Sequence, residues 1–141
     1  MIVVDASAAV TMFLNLGPSA AHVRERLGQV EEVHVPHLFD IEVLHALRRH
    51  SLRGDLSGEQ SWLIMDLLHE MNAVRYPHAP LAARIWALRE NLTAYDAAYV
   101  VLAETLDALL VTMDAGLAQA PGIRAAVEFY GTLESNSGSD A

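Results

Sequence analysis

Short apolar, β-rich runs recur along this chain, each followed by a stretch with helical spacing, and that rhythm constrains the fold more than any other feature. Strands are expected at 2–4, 33–35, 73–76, 109–112 and 127–129. Helices are expected at 6–14, at 19–27 with Ser19 as cap, and at 36–53 opened by Pro36 and ended by Gly54. Further helices are expected after the Ser57/Gln60 capping-box pair and at 80–89, 93–106 and 114–120. Strands separated by helices pair in parallel and are covered on both faces. The expected fold is therefore α/β, with three layers around a short, mainly parallel central sheet. One domain over 1–134 is expected, with the Ser/Gly/Asn/Asp-rich segment 135–141 as a disordered tail.

Composition narrows the chemistry. Hydrophobic residues make up 52% of the chain, enough for a substantial core. The longest wholly apolar run, 97–103, is far short of the ~20 residues that span a bilayer. The opening Met-Ile-Val-Val-Asp meets an acid at once and is expected to be a core strand rather than a secretory signal, so the expected compartment is the cytoplasm. With no cysteine, disulfides and thiolate metal sites are excluded. The net charge is −9, and all nine basic residues are arginine. Taken alone, that charge opposes nucleic-acid binding, which draws most of its affinity from phosphate neutralisation. A nucleic-acid-processing reading must therefore account for the acids as cation ligands. Arg48, Arg49 and Arg53 form a local basic face, and Arg89 is a further candidate for phosphate contact.

Four acids fall where strands end. Asp5 follows the first strand, Glu42 lies early in the helix after the second, Asp96 sits in the first turn of the helix before the fourth, and Asp114 follows the fourth. Open parallel sheets gather ligands at the carboxyl ends of their strands. Carboxylates brought together there raise one another's pKa values and repel. A hard divalent cation, Mg²⁺ or Mn²⁺, relieves that repulsion and suits oxygen donors. It also activates water and stabilises charge on a phosphoryl oxygen, which is the chemistry of phosphodiester hydrolysis. Each acid also has a local reading. Asp5 and Asp114 fit as helix N-caps, Thr93-Ala-Tyr-Asp96 fits a capping box, and Glu42 fits an exposed helical glutamate. Residues alone leave both readings standing.

At these positions the chain resembles PIN-domain ribonucleases, and among them the VapC toxins of type II toxin–antitoxin systems. The resemblance is carried by Ile-Val-Val-Asp-Ala-Ser, Val-Pro-His-Leu-Phe-Asp-Ile-Glu-Val-Leu-His-Ala-Leu-Arg-Arg, Leu-Thr-Ala-Tyr-Asp-Ala-Ala-Tyr-Val-Val-Leu-Ala-Glu and Leu-Leu-Val-Thr-Met-Asp-Ala-Gly-Leu, in family order over nearly the whole chain. It implies a PIN-like α/β/α domain with Asp5, Glu42, Asp96 and Asp114 as catalytic and metal-holding acids, and with Ser7 and Thr112 as supporting hydroxyls. The implied activity is a Mg²⁺- or Mn²⁺-dependent endoribonuclease that leaves a 5′-phosphate and a 3′-hydroxyl. The implied partners are an RNA substrate, a VapB-like antitoxin and a second copy in a homodimer. The antitoxin's extended segment would occupy an apolar groove, for which Met12, Phe13, Leu14, Trp62 and Leu63 are candidates.

The other residues offer little. The seven histidines show no zinc-helix spacing, and His37, His45 and His50 read as surface or capping residues. Asp40 reads as a solvated acid or a fifth acid near the site. A phosphoacceptor receiver domain and a haloacid-dehalogenase-type phosphatase each need a lysine, which this chain lacks. The rival from another class is a non-catalytic acidic α/β protein-binding module whose strand-end acids only cap helices.

Overall fold

The computed structural model describes residues 1–132, so the tail expected over 135–141 lies outside the described residues. Five strands, β1 (Ile2–Val4), β2 (Val33–Pro36), β3 (Ala73–Tyr76), β4 (Leu109–Thr112) and β5 (Val127–Phe129), form one sheet in the order β3-β2-β1-β4-β5. Every pairing is parallel. The expected mainly parallel sheet is thus wholly parallel.

The helices are α1 (Ala6–Leu14), α2 (Ser19–Gly28), α3 (Leu38–Arg53), α4 (Gly58–Glu70), α5 (Ala82–Ala87), α6 (Ala94–Leu106) and α7 (Ala115–Ala118). The chain moves outward from β1 to β2 and β3, then returns past β1 to β4 and β5. Right-handed crossovers therefore put α1 to α4 on one face and α5 to α7 on the other. The direction of winding reverses between β1 and β4, so a crevice opens at their carboxyl ends.

The sheet's central strands carry the core. Ile2, Val3 and Val4 are buried, as are Val33, Val35, Leu110 and Val111. The apolar run 97–103 forms the middle of α6 and is buried throughout, which is why it is apolar on every side. Among the described residues no helix is long and apolar enough to cross a membrane. One clasp fixes the far end of α6. Arg84 donates to both oxygens of Glu104 at 2.9 and 3.2 Å and to Gly122 O at 2.9 Å, while Arg124 N donates to Glu104 at 2.7 Å.

Local expectations held where a short-range signal decided them. The Ser57/Gln60 capping box forms, and Gly54 ends α3 at φ 83°, a left-handed conformation that costs a residue without a Cβ little. They failed where a distant segment intervened. Ser19 does not cap α2; Pro18 takes the cap position, and Ser19 Oγ donates to Tyr130 O at 2.7 Å. Pro36 ends β2 opposite Tyr76 instead of opening α3, because its fixed φ suits both roles and β3 claims it. The helix expected over 80–89 divides into a one-turn 3-10 segment at Ala79–Leu81 followed by α5.

Burial sets the expected response to mutation. Leu102, 1% exposed, should cost roughly 2–5 kcal/mol when changed to Ala. Leu63, 60% exposed, should shift stability by no more than about 0.5 kcal/mol. Urea denaturation midpoints of the two variants would check this ordering.

Candidate active site

All four strand-end acids line one cavity of about 750 Å³ that opens at the crevice between β1 and β4. Asp5 leaves β1 with its N–H donating to Val111 O at 3.1 Å. Its side chain caps α1 by accepting from Ala8 N at 3.0 Å, yet it is only 4% exposed and faces more than its own helix. Ser7 Oγ donates to Asp5 Oδ1 at 2.7 Å, and Thr112 Oγ1 donates to Asp5 Oδ2. These hydroxyls in turn accept from the chain leaving β4: Met113 N donates to Ser7 Oγ at 3.1 Å and Asp114 N to Thr112 Oγ1 at 2.9 Å. The exits of the two strands are thereby tied to one carboxylate.

The other three acids arrive from different elements. Asp114 caps α7 by accepting from Leu117 N at 3.1 Å. Asp96 stands in the first turn of α6, where Thr93 Oγ1 accepts from Asp96 N at 3.2 Å. Glu42 reaches in from α3 and accepts from Tyr99 OH at 2.6 Å. Tyr99 is buried on α6, so this bond ties the two helices together beside the cavity.

Burial dominates the electrostatics of these acids, and neighbouring charges add to it. Burial pushes the Asp5 carboxyl from 3.8 up to about 6, with its hydrogen bonds opposing and the charge of Asp114 adding to the rise. Burial also raises Asp96, again helped by Asp114. Glu42 is raised by burial, against the Tyr99 bond, with the charge of Asp96 adding to it. Repulsion therefore runs from Asp5 through Asp114 and Asp96 to Glu42. The Tyr99 hydroxyl is pushed up by burial and by Glu42, so it stays a proton donor.

Capping and convergence are both true of Asp5 and Asp114. Among the described residues no three acidic or imidazole side chains stand as a ready-made cation cage. Asp5 spends both oxygens, and Glu42 and Asp114 one each, on local donors. Asp5 Oδ1 already accepts twice, but Asp5 Oδ2 and the oxygens of the other acids keep lone pairs free, so acceptor capacity remains. The donor set is all oxygen, anionic and mutually repelling, and it fits a hard divalent cation.

The remaining expectations separate. Arg49 lines the acidic cavity, whereas Arg48 and Arg53 do not. His45 and His50 line it too, and His50 also meets Asp55 at 3.1 Å. His37 is exposed and makes no side-chain cap, and Leu38 N donates to His78 Nε2 instead. Asp40 is no fifth acid, because Arg75 grips both its oxygens at 2.6 and 2.9 Å. Tyr99 was missed, although it follows Asp96 by three residues and shares its helix face. His45 and Arg49 follow Glu42 by three and seven, and the same spacing could have found them. Of the groove candidates, Phe13, Leu14 and Leu63 line a second cavity of about 420 Å³, while Met12 packs on the core and Trp62 lies outside that lining. This cavity shares Leu16 and His50 with the acidic one.

Known proteins resemble this chain in sequence and fold. The PIN domain family matches residues 2–123. Ribonuclease VapC1 of Mycobacterium tuberculosis is 46% identical over 122 residues, covering 86% of this chain and 91% of the relative. Ribonuclease VapC12 of the same organism is 39% identical over 128 residues, covering 91% and 98%. Among solved structures, PAE2754 from Pyrobaculum aerophilum superposes with a TM-score of 0.67 at 26% identity, covering 89% of this chain and 81% of that one. FitAcB from Neisseria gonorrhoeae has the same fold, with a TM-score of 0.60 at 18% identity over 92% and 98%. The chain belongs to the PIN domain family, and within it to the VapC group.

Proposed function

We propose that this protein is a metal-dependent endoribonuclease, the toxin of a VapBC-type pair, with Asp5, Glu42, Asp96 and Asp114 holding Mg²⁺ or Mn²⁺. The observation that carries this reading is the meeting of four acids from four elements in one cavity, where burial, with neighbouring acidic charges adding, raises the proton affinity of Asp5, Glu42 and Asp96. The ribonuclease names of relatives at 39–46% identity support RNA as the substrate. A protein-binding module whose acids only cap helices would have no use for the Glu42–Tyr99 bond or for repulsion across four elements.

The cation supplies Lewis acidity toward a phosphoryl oxygen and lowers the pKa of water. The protein's own groups prepare the site for it. Ser7, Thr112 and Ala8 N orient Asp5, Tyr99 orients Glu42, and Leu117 N orients Asp114. Arg49 stands at the cavity wall, where it can meet a phosphate that the surrounding acids would otherwise repel. The apolar cavity at Phe13, Leu14 and Leu63 adjoins the acidic one and is suited to an extended antitoxin segment. Residues 1–134 form the catalytic domain in this proposal, and the working form is a cytoplasmic homodimer.

Purified protein freed of any partner should cut RNA with Mg²⁺ or Mn²⁺ and stop with EDTA. Calorimetric titration with Mn²⁺ should show binding that Asp5→Asn or Asp96→Asn weakens by more than the roughly 10–100-fold typical of residues behind the ligands. Cutting that persists in EDTA, or unchanged Mn²⁺ binding in both variants, would overturn the assignment.

Tyr99→Phe keeps the ring but removes the hydroxyl that donates to Glu42. Mn²⁺ affinity should fall roughly 10-fold while the thermal midpoint changes little, and affinity equal to the parent protein would refute the orienting role.

The metal-free protein should also show an inverted pH response. Asp5 binds its proton more tightly in the folded state, so its contribution is greatest below the ordinary carboxyl pKa and is lost as pH rises through about 6. The shift from 3.8 corresponds to about 3 kcal/mol. Glu42 and Asp96 are raised too and act in the same direction. In EDTA, melting temperatures should fall between about pH 5 and 7, the fall should shrink in Asp5→Asn, and Mg²⁺ should restore the loss. An Asp5→Asn protein with the parent's slope would count against it.

A further inference from the structure

Trp86 is 68% exposed near the end of α5, a position that covers no core. The Arg89 guanidinium stands 4.7 Å from the centre of its ring, and Arg89 Nη1 donates to Trp86 O at 3.1 Å. The pair is therefore held together rather than left to swing. It opens onto a cavity of about 450 Å³ whose walls include Ile85, Leu92, Thr93 and Ala94. Thr93 and Ala94 begin α6, and the next two residues, Tyr95 and Asp96, line the acidic cavity. The two cavities thus lie on either side of one helix start.

Charge narrows what could sit there. Arg26, Arg75 and Arg84 are each neutralised by an acid, at 3.0, 2.6 and 2.9 Å. Arg89 has no acidic partner among the described residues, and neither does Arg49 in the acidic cavity. In a chain of net charge −9, such cations are the points a polyanion can touch. An apolar protein surface laid over Trp86 would bury the Arg89 charge without a counter-charge, which is costly. A nucleic acid brings its own phosphates and offers flat bases to the ring.

We propose that Trp86 and Arg89 form a stacking platform for an unpaired base of the RNA strand whose neighbouring phosphodiester enters the acidic cavity. This rests on the ribonuclease reading given above. Unpaired bases stack on aromatic rings and guanidinium planes, whereas bases within a duplex present no free face. The platform selects single-stranded or looped RNA over duplex and tolerates differences in sequence, since every base has a π-face. Tyr95, 66% exposed, lines the acidic cavity one residue beyond Ala94, which lines the cavity beside Trp86.

The chain has two tryptophans, so Trp62→Phe leaves Trp86 as the sole indole reporter. In EDTA at low salt, an unpaired RNA oligonucleotide should quench that fluorescence, and the same strand annealed to its complement should not. Read instead by the anisotropy of a dye-labelled unpaired strand, binding should weaken roughly 5–100-fold in Trp86→Ala, and Trp86→Phe should recover most of the loss. Arg89→Ala should weaken binding and flatten its salt dependence. With Mg²⁺ present, the effect of Trp86→Ala should fall on KM more than on kcat. Equal RNA affinity in Trp86→Ala, or a Trp86 signal blind to RNA, would overturn the platform. So would a signal that changes with protein concentration alone while Trp86→Ala abolishes a dimer in sedimentation, because the surface would then belong to a second copy. Binding is read without a cation, so a protein that stacks RNA on Trp86 yet never cuts it keeps the platform and refutes the nuclease reading instead.

Discussion

A carboxylate kept out of water at the junction of two parallel strands organises this molecule. Burying Asp5 carries a desolvation penalty, visible in the rise of its pKa to about 6. The fold offsets the penalty with three donors: Ala8 N and the Ser7 hydroxyl in the first turn of α1, and the Thr112 hydroxyl at the end of β4. The β1–β4 register, with Val4 opposite Val111, brings Thr112 alongside Asp5. A slip of one residue would turn Thr112 to the other face and leave a buried charge without its partner. The same bonds that make Asp5 tolerable also fix where Asp114 leaves the sheet. Sheet register and site geometry are therefore one constraint.

Much of this was legible in the sequence because the signals were local. The alternation of strands and helices, the Ser57/Gln60 box and the Gly54 stop each depend on a few neighbouring residues, and all appear as read. Asp5, Glu42, Asp96 and Asp114 could be nominated because a parallel sheet brings its strand ends to one edge. What the sequence withheld was choice among partners. Ser19 had a helix to cap and went instead to Tyr130, 111 residues away. Tyr99 lies within an apolar run and looks like core, which it also is; only the approach of α3 makes its hydroxyl the partner of Glu42. Trp62 and Trp86 lie in helices among apolar residues, and both are exposed, since periodicity gives the faces of a helix without saying which face meets the sheet.

The net charge of −9 first looked hostile to a nucleic acid, and its distribution resolves the conflict. Three arginines are consumed in ion pairs that hold α2 to β5, α3 to β3 and α5 to α6. Arg49 and Arg89 are left without acids on the two sides of the α6 start. Long-range repulsion slows the approach of RNA, whereas contact depends on the few groups within a Debye length of a phosphate. A cation among the four acids would remove much of the remaining repulsion where it is strongest.

The acids have to serve two states. Without a cation, Asp5, Glu42 and Asp114 are held by their own donors, and the set does not stand as a finished cage. Those donors limit repulsion enough for the protein to fold, and they also limit how far the oxygens can drift from one another. Removing them would leave side chains free to turn outward to water, which would relieve the strain and destroy the site. Removing the acids would relieve the strain more completely and leave no chemistry. The donors from Ser7, Thr112, Tyr99 and Leu117 thus work as restraints: they keep mutually repelling charges together at a tolerable cost until a counter-ion makes the arrangement favourable.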